Sequence, residues 1–200
     1  LIERGRDPTV GITAHEATIT LRISAWADND DSCREKITTT EDIIRKTLGH
    51  LVYGEEDDEV EDAAAKALLA ASARLATVEA GTAGRVAALF AQAAHRRNAT
   101  SQQFFCGGLV LPGLPGGTSK LIAAAKDVAS SHNASVGMAV GPVRPSGVRH
   151  AVDVVVVNNG TPIVTEHILG GGGIAMSRAA KSAIDQIRRI LLSHRKNCRT

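Results

Sequence analysis

Residues 17–26, Ala-Thr-Ile-Thr-Leu-Arg-Ile-Ser-Ala-Trp, alternate strictly, with Ile19, Leu21 and Ile23 on one side and Thr18, Thr20 and Arg22 on the other. A period of two marks a strand buried on one face. The period then lengthens: Ile37, Ile44 and Leu48 recur near helical spacing, behind an aspartate cap at 30 or 31 and ahead of Gly49, a helix stop. One strand and one helix make a small α+β unit over residues 8–55.

Beyond the acidic run 55–62 the pattern changes to repeated strand-helix units, which predicts an α/β fold in three layers over residues 58–196. Strands are expected at 74–80, 102–113 and 134–140, and helices at 59–75, 82–97 and 119–132. Residues 150–169 supply two more strands joined by the hairpin signal Asn158-Asn159-Gly160. A long helix over 174–196 closes the chain; Ile174, Ala180, Ile184, Ile187 and Leu191 form its apolar face, and Arg188, Arg189, Arg195 and Lys196 suit its C-terminal end. The boundary falls in the acidic run, dividing the chain into residues 1–57 and 58–200, and its carboxylates complement the dipole of the helix that follows.

Composition narrows the function classes. With 23 basic and 21 acidic residues the net charge is +2, too little for a general attraction to nucleic acid or an anionic membrane. Cys33, Cys106 and Cys198 lie far apart with no CxxC pair, and the seven histidines are scattered, so neither a metal site nor a disulfide framework is expected, and no cofactor. No membrane-spanning run is present and the first residues are charged, which fits a cytoplasmic protein. The chain opens on Leu1 and reads as a domain cut from something longer.

Chemistry is most expected at the strand-turn-helix over residues 77–90, because the first N–H groups of a helix point at whatever lies in front of them. The turn itself holds one nucleophile, Thr82, flanked by Gly81 and Ala83. Thr82 reads either as a nucleophile or as the cap of the following helix, and Glu79 as a base or as a structural carboxylate bonded to turn amides. The four glycines at 170–173 precede a helix and could hold an anion or simply form a loop. Cys106 reads as a small core residue.

Two phrases, RGRDPTVGITAHEATITLRISAWA at 4–27 and LGHLVYGEEDDEVEDAAAKAL at 48–68, resemble the CinA family of competence/damage-inducible proteins. The resemblance implies a KH-type α+β unit followed by a C-terminal domain of nicotinamide-nucleotide amidase type. It also implies an upstream molybdopterin-binding-like domain, a homo-oligomer and a nicotinamide-type nucleotide as ligand. In the family the turn reads A-E-S-C-T-G-G, the serine being the nucleophile; here Glu79, Thr82 and Gly84 match, but the serine position is Ala80. A second motif, G-G-V-V-A-Y-S-N-E-A-K, falls on residues 107–117: Gly107 and Gly108 match, while the lysine position is Gly117 and Lys120 follows three residues on.

The family's T-G-I-A-G-P loop falls on the unlike residues 141–147, and its G-D-R on Gly170-Gly171-Gly172, without the arginine. Scaffold phrases persist where chemical ones are lost. The resemblance therefore implies a catalytically silent domain with a scaffolding, oligomerising or nucleotide-binding role, its ligand contacts at Gly81, Thr82, Gly84, Gly107, Gly108 and Gly172. The alternative is a surviving amidohydrolase, converting nicotinamide mononucleotide to nicotinate mononucleotide plus ammonia, with a site rebuilt from Thr82, Glu79 and Lys120. A nucleic-acid-binding KH-type module is the weakest reading, since the stretch lacks a G-x-x-G loop and an aromatic stacking face.

Overall fold

The computed structural model describes residues 5–98, 100–114, 117–171 and 173–197, the last four of them in backbone only. Two compact units divide the chain, Leu1–Tyr53 and Gly54–Thr200.

The first unit holds two strands where the pattern predicted one. β1 (Thr9–His15) and β2 (Thr18–Ser24) form an antiparallel hairpin in which Val10, Ile12 and Ala14 stand opposite Ile23, Leu21 and Ile19. β1 alternates as clearly as β2, but the turn between them, Glu16-Ala17, carries none of the residues that announce a hairpin. Both nonetheless adopt positive φ, 42° and 68°. Helix α1 (Asp30–Leu48) follows, capped by Asn29, whose side chain accepts from the Ser32 amide at 2.9 Å. This corrects the expected cap: Asp30 and Asp31 lie inside the first turn, where they complement the dipole. Gly49, at φ 54°, ends the helix. Lys36 ties α1 to the segments flanking the hairpin, donating to Asp7 at 2.6 Å and to the Trp26 carbonyl at 2.8 Å. The Lys36 ammonium, then the Trp26 amide, hold the Asp7 carboxyl below the usual aspartate value, and Asp7 raises Lys36 in return.

The second unit is built on one sheet. β3 (Leu75–Glu79) lies between β4 (Phe105–Val110) and β5 (Val136–Val140), all parallel. β7 (Arg149–Asn158) runs antiparallel to β5, and β8 (Thr161–Leu169) antiparallel to β7. The short β6 (Arg144–Ser146), which the pattern did not reveal, pairs with residues 149–151 of β7, continuing the line of β5.

Helix α4 (Thr118–Ser131) covers one face, with Leu121, Ala125 and Val128 packed on Ala76, Val78, Ala139, Val155 and Val157. Helices α2 (Val60–Ala70), α3 (Arg85–Arg96) and α5 (Ala175–Asn197) pack on one another, α3 and α5 also meeting strands. Leu75, Thr77 and Glu79, the β3 residues that alternate with Ala76 and Val78, are buried as well, so both faces of the sheet are covered. Gly137 lets α4 approach: a Cβ there would overlap the Ala125 carbonyl.

Two expectations need correction here. The acidic run does more than face a dipole: Glu59 and Asp62 form a capping box at the start of α2, and buried Glu61 and Asp62 both pair with Arg96, at 2.9 and 2.7 Å. On α5, Ala180, Ile184, Ile187 and Leu191 are buried, but Ile174 precedes the helix and is 44% exposed. Arg188 is buried against Asp185 and does not serve the helix end. The side chains of Arg195 and Lys196 lie outside the described residues.

Candidate active site

β3 ends at Glu79, and α3 begins six residues later, at Arg85. Two consecutive residues at positive φ, Ala83 at 52° and Gly84 at 80°, turn the chain. Glycine suits that conformation, whereas alanine there is strained. The turn is tied to the neighbouring strand by the Ala80 amide, which donates to the Val140 carbonyl at 2.9 Å.

The first amides of α3 are all paired within the chain. Arg85 N–H donates to the Thr82 carbonyl, Val86 and Ala87 N–H donate to the two oxygens of Glu79 at 3.0 Å each, and Ala88 N–H to the Gly84 carbonyl. The carboxylate of Glu79 therefore occupies the place where a helix N-terminus would take a ligand anion. Thr82 donates its hydroxyl to Glu79 Oε2 at 2.6 Å. It does not cap the helix; Glu79 does, from the end of the preceding strand. Glu79 is 1% exposed and Thr82 0%. An attacking oxygen needs an open face toward its substrate, and Thr82 presents none.

Around this turn several glycines are required by packing. A Cβ on Gly81 would overlap the Gly141 carbonyl and lie 2.9 Å from the Val143 amide, because the backbone of residues 141–143 rests on the turn. A Cβ on Gly84 would stand 3.3 Å from Val110 Cγ2. On β4, Gly107 sits at φ 114° beside the His132 ring, and a Cβ on Gly108 would overlap the Thr77 carbonyl. Gly117 is the N-cap residue of α4 at φ 108°, with open space where a Cβ would stand, and Lys120 is exposed one turn later. Gly172 lies outside the described residues.

Two arginines that the motifs did not single out border the site. Arg178, in the first turn of α5, lays its guanidinium over Gly170, where a Cβ would collide with it. Arg85 reaches the same helix start, its Nη1 3.9 Å from Met176 Sδ. Nothing in the sequence signals either one, because the resemblance looks for an arginine at 172 and Arg178 comes back from within the helix. Arg144, in the stretch matched to the T-G-I-A-G-P loop, is held by Asp153 and Glu166. No group of His, Cys, Asp and Glu able to hold a metal occurs among the described residues, and no described helix is long and apolar enough to cross a membrane.

Residues 1–54 match the family model of the damage-inducible protein CinA KH domain. A putative competence-damage inducible protein of Clostridium tetani is 36% identical over 84 residues, 42% of this chain and 20% of the relative. A CinA-like protein of Kosmotoga olearia is 33% identical over 87 residues, 44% and 21% of the two chains. The chain thus spans about a fifth of the length of the curated relatives it matches.

Among solved structures, a CinA-superfamily protein of Klebsiella pneumoniae superposes with a TM-score of 0.56 at 16% identity, covering 70% of this chain and 99% of its own. A competence damage-inducible protein from another strain of that species gives 0.54 at 17%, covering 68% and 98%. Identities that low carry the fold alone, and a share that large must fall mostly on the second unit. The chain is CinA-like: residues 1–54 match the CinA KH domain, and the second unit shares the fold of solved CinA-superfamily proteins.

Proposed function

We propose that the second unit is an amidase-type domain of the CinA family that no longer turns over substrate and serves by holding a nicotinamide-type nucleotide. The observation that carries this reading is the closed turn. Position 80, which the resemblance matches to the nucleophilic serine, is Ala80, and the neighbouring hydroxyl and carboxylate, Thr82 and Glu79, are buried and bonded to each other and to α3. A nucleophile, its base and an oxyanion hole act as a set, so loss of the first removes most of the rate. Arg178 and Arg85 supply positive charge beside the glycine-rich loop, which suits a nucleotide phosphate. On this reading the nucleotide is bound at that rim, and the full-length protein, cytoplasmic and carrying an upstream molybdopterin-binding-like domain, uses the domain for assembly or ligand sensing.

One observation favours a second reading, a rebuilt amidohydrolase: the 2.6 Å bond from Thr82 to Glu79 has the form of a hydroxyl with its base. Calorimetric titration with nicotinamide mononucleotide, run beside an ammonia assay, separates the two. A silent binding domain gives saturable heat, at least tenfold weaker binding in Arg178→Ala, and no ammonia from Ala80→Ser or Gly117→Lys alone. Absence of any binding, or ammonia release lost in Thr82→Ala, would reject it.

A further inference from the structure

The chain has two methionines, and the fold treats them oppositely. Met138 lies in the middle of β5 at 0% exposure, whereas Met176, the second residue of α5, is 41% exposed. Peroxides attack a thioether where solvent reaches its sulfur, so the two differ in reactivity before any neighbour is considered. Met176 also has a neighbour of particular chemistry. Arg85, the first residue of α3, places Nη1 3.9 Å from Met176 Sδ, and among the described residues no carboxylate pairs with that guanidinium. Thioether sulfur is a weak acceptor, so a full positive charge is directed at an atom that barely satisfies it. A sulfoxide changes this. Its oxygen is a strong acceptor that extends from Sδ into hydrogen-bond range of Nη1, replacing the weak contact by a charge-assisted bond. The oxygen also carries partial negative charge at the first turn of α5, where the helix dipole favours it.

We propose that Met176 is a site of reversible oxidation by hydroperoxides, and that the sulfoxide oxygen binds Arg85, joining the starts of α3 and α5. In the step, the Sδ lone pair attacks the terminal oxygen of the hydroperoxide and the O–O bond breaks. Sulfur gives up two electrons and the peroxide takes them. The proton of the attacked oxygen passes to the departing one, which leaves as water from hydrogen peroxide or as an alcohol from an organic hydroperoxide. Reversal is the work of a methionine sulfoxide reductase, in which a dithiol is oxidised to a disulfide and the oxygen leaves as water. Met176 and Arg85 both stand at the rim of the candidate site, so oxidation withdraws a cation from that rim and commits it to α5. The inference holds whether or not the rim binds a nucleotide.

Treatment of the whole folded chain with graded hydrogen peroxide, followed by peptide mass spectrometry and thermal unfolding, tests it. Met176 is expected to gain one oxygen about tenfold faster than Met138, or more. Oxidation is expected to raise the thermal midpoint of the parent by about 1–2 °C, the effect of one added bond at an exposed place, and reductase treatment to return it. Met176→Leu, which keeps the side-chain volume, is treated alike so that oxidation of the cysteines drops out of the comparison, and it is expected to show no rise. Arg85→Ala is expected to be oxidised at Met176 as the parent is, yet without the rise. Equal oxidation of Met138 and Met176 in the folded chain, a midpoint that does not rise above that of Met176→Leu, or a rise that persists in Arg85→Ala would overturn the proposal.

Discussion

At position 79 a carboxylate with no access to solvent holds two helix amides and one hydroxyl. Removing it strands buried donors, so Glu79→Ala is expected to cost about 2–3 kcal/mol in urea unfolding, and Thr82→Val about 1 kcal/mol, since the hydroxyl gives up a single bond. Gly81→Ala is expected to lose about 1–3 kcal/mol, because the 141–143 backbone must move to admit a methyl group. A milder effect in the alanine variant of Glu79 than in the valine variant of Thr82 would contradict the capping role. Glu79 was legible as a structural carboxylate from its place before a turn. The role of Thr82 was not: threonine near a helix start usually accepts from an amide, and only the geometry reveals that its hydroxyl donates to Glu79.

Among the elements, those with strong periodicity were readable and those defined by a turn without turn residues were not. β2 follows from alternation and the β7–β8 hairpin from Asn159-Gly160, and β3 and β5 were placed between the helices, whereas β1 was lost behind Glu16-Ala17. That turn has a direct consequence: Ala17→Gly relieves a left-handed alanine and is expected to stabilise the first unit by about 1 kcal/mol. Trp26, the single tryptophan, reports on that unit by fluorescence.

The same unit should respond to acid. The folded pKa of Asp7 lies below its unfolded value, so its contribution is present above the ordinary aspartate range and disappears as pH falls through the lowered folded value. Lys36, raised by Asp7, contributes below its unfolded value and loses this as pH rises through the folded one. Lys36→Met should therefore flatten the acid limb of the Trp26 unfolding profile, and high salt should weaken the parent's dependence, since the pair is exposed.

In the second unit the link between α2 and α3 is ionic. Burial works against the Arg96 guanidinium, but hydrogen bonds to Asp62 and then Glu61 outweigh it and raise its pKa above the ordinary arginine value. Arg96→Met leaves two buried carboxylates without their cation and is expected to cost about 3 kcal/mol, part of it recovered by adding Glu61→Gln. An unchanged denaturation midpoint would show that the carboxylates find other donors. Only the dipole role of this acidic run was visible in the sequence, because its partner lies 34 residues away in α3.

For the whole molecule, the two sheets share no strand: one lies in the unit that matches the CinA KH domain, the other in the unit with the fold of solved CinA-superfamily proteins. The scaffold was legible because the strands and helices that pack it keep their period and the two phrases at 4–27 and 48–68 keep their wording. The working surface was harder to read, because it is made by close approaches: the 141–143 backbone on Gly81, and Arg178 over Gly170. The account rests on the claim that this surface binds and does not hydrolyse, and ammonia release measures that directly. The unmodified chain, incubated with nicotinamide mononucleotide, is predicted to release no ammonia above the buffer blank, with Thr82→Ala and Lys120→Ala indistinguishable from it. Sustained ammonia release by the unmodified chain, abolished by either substitution, would contradict the account.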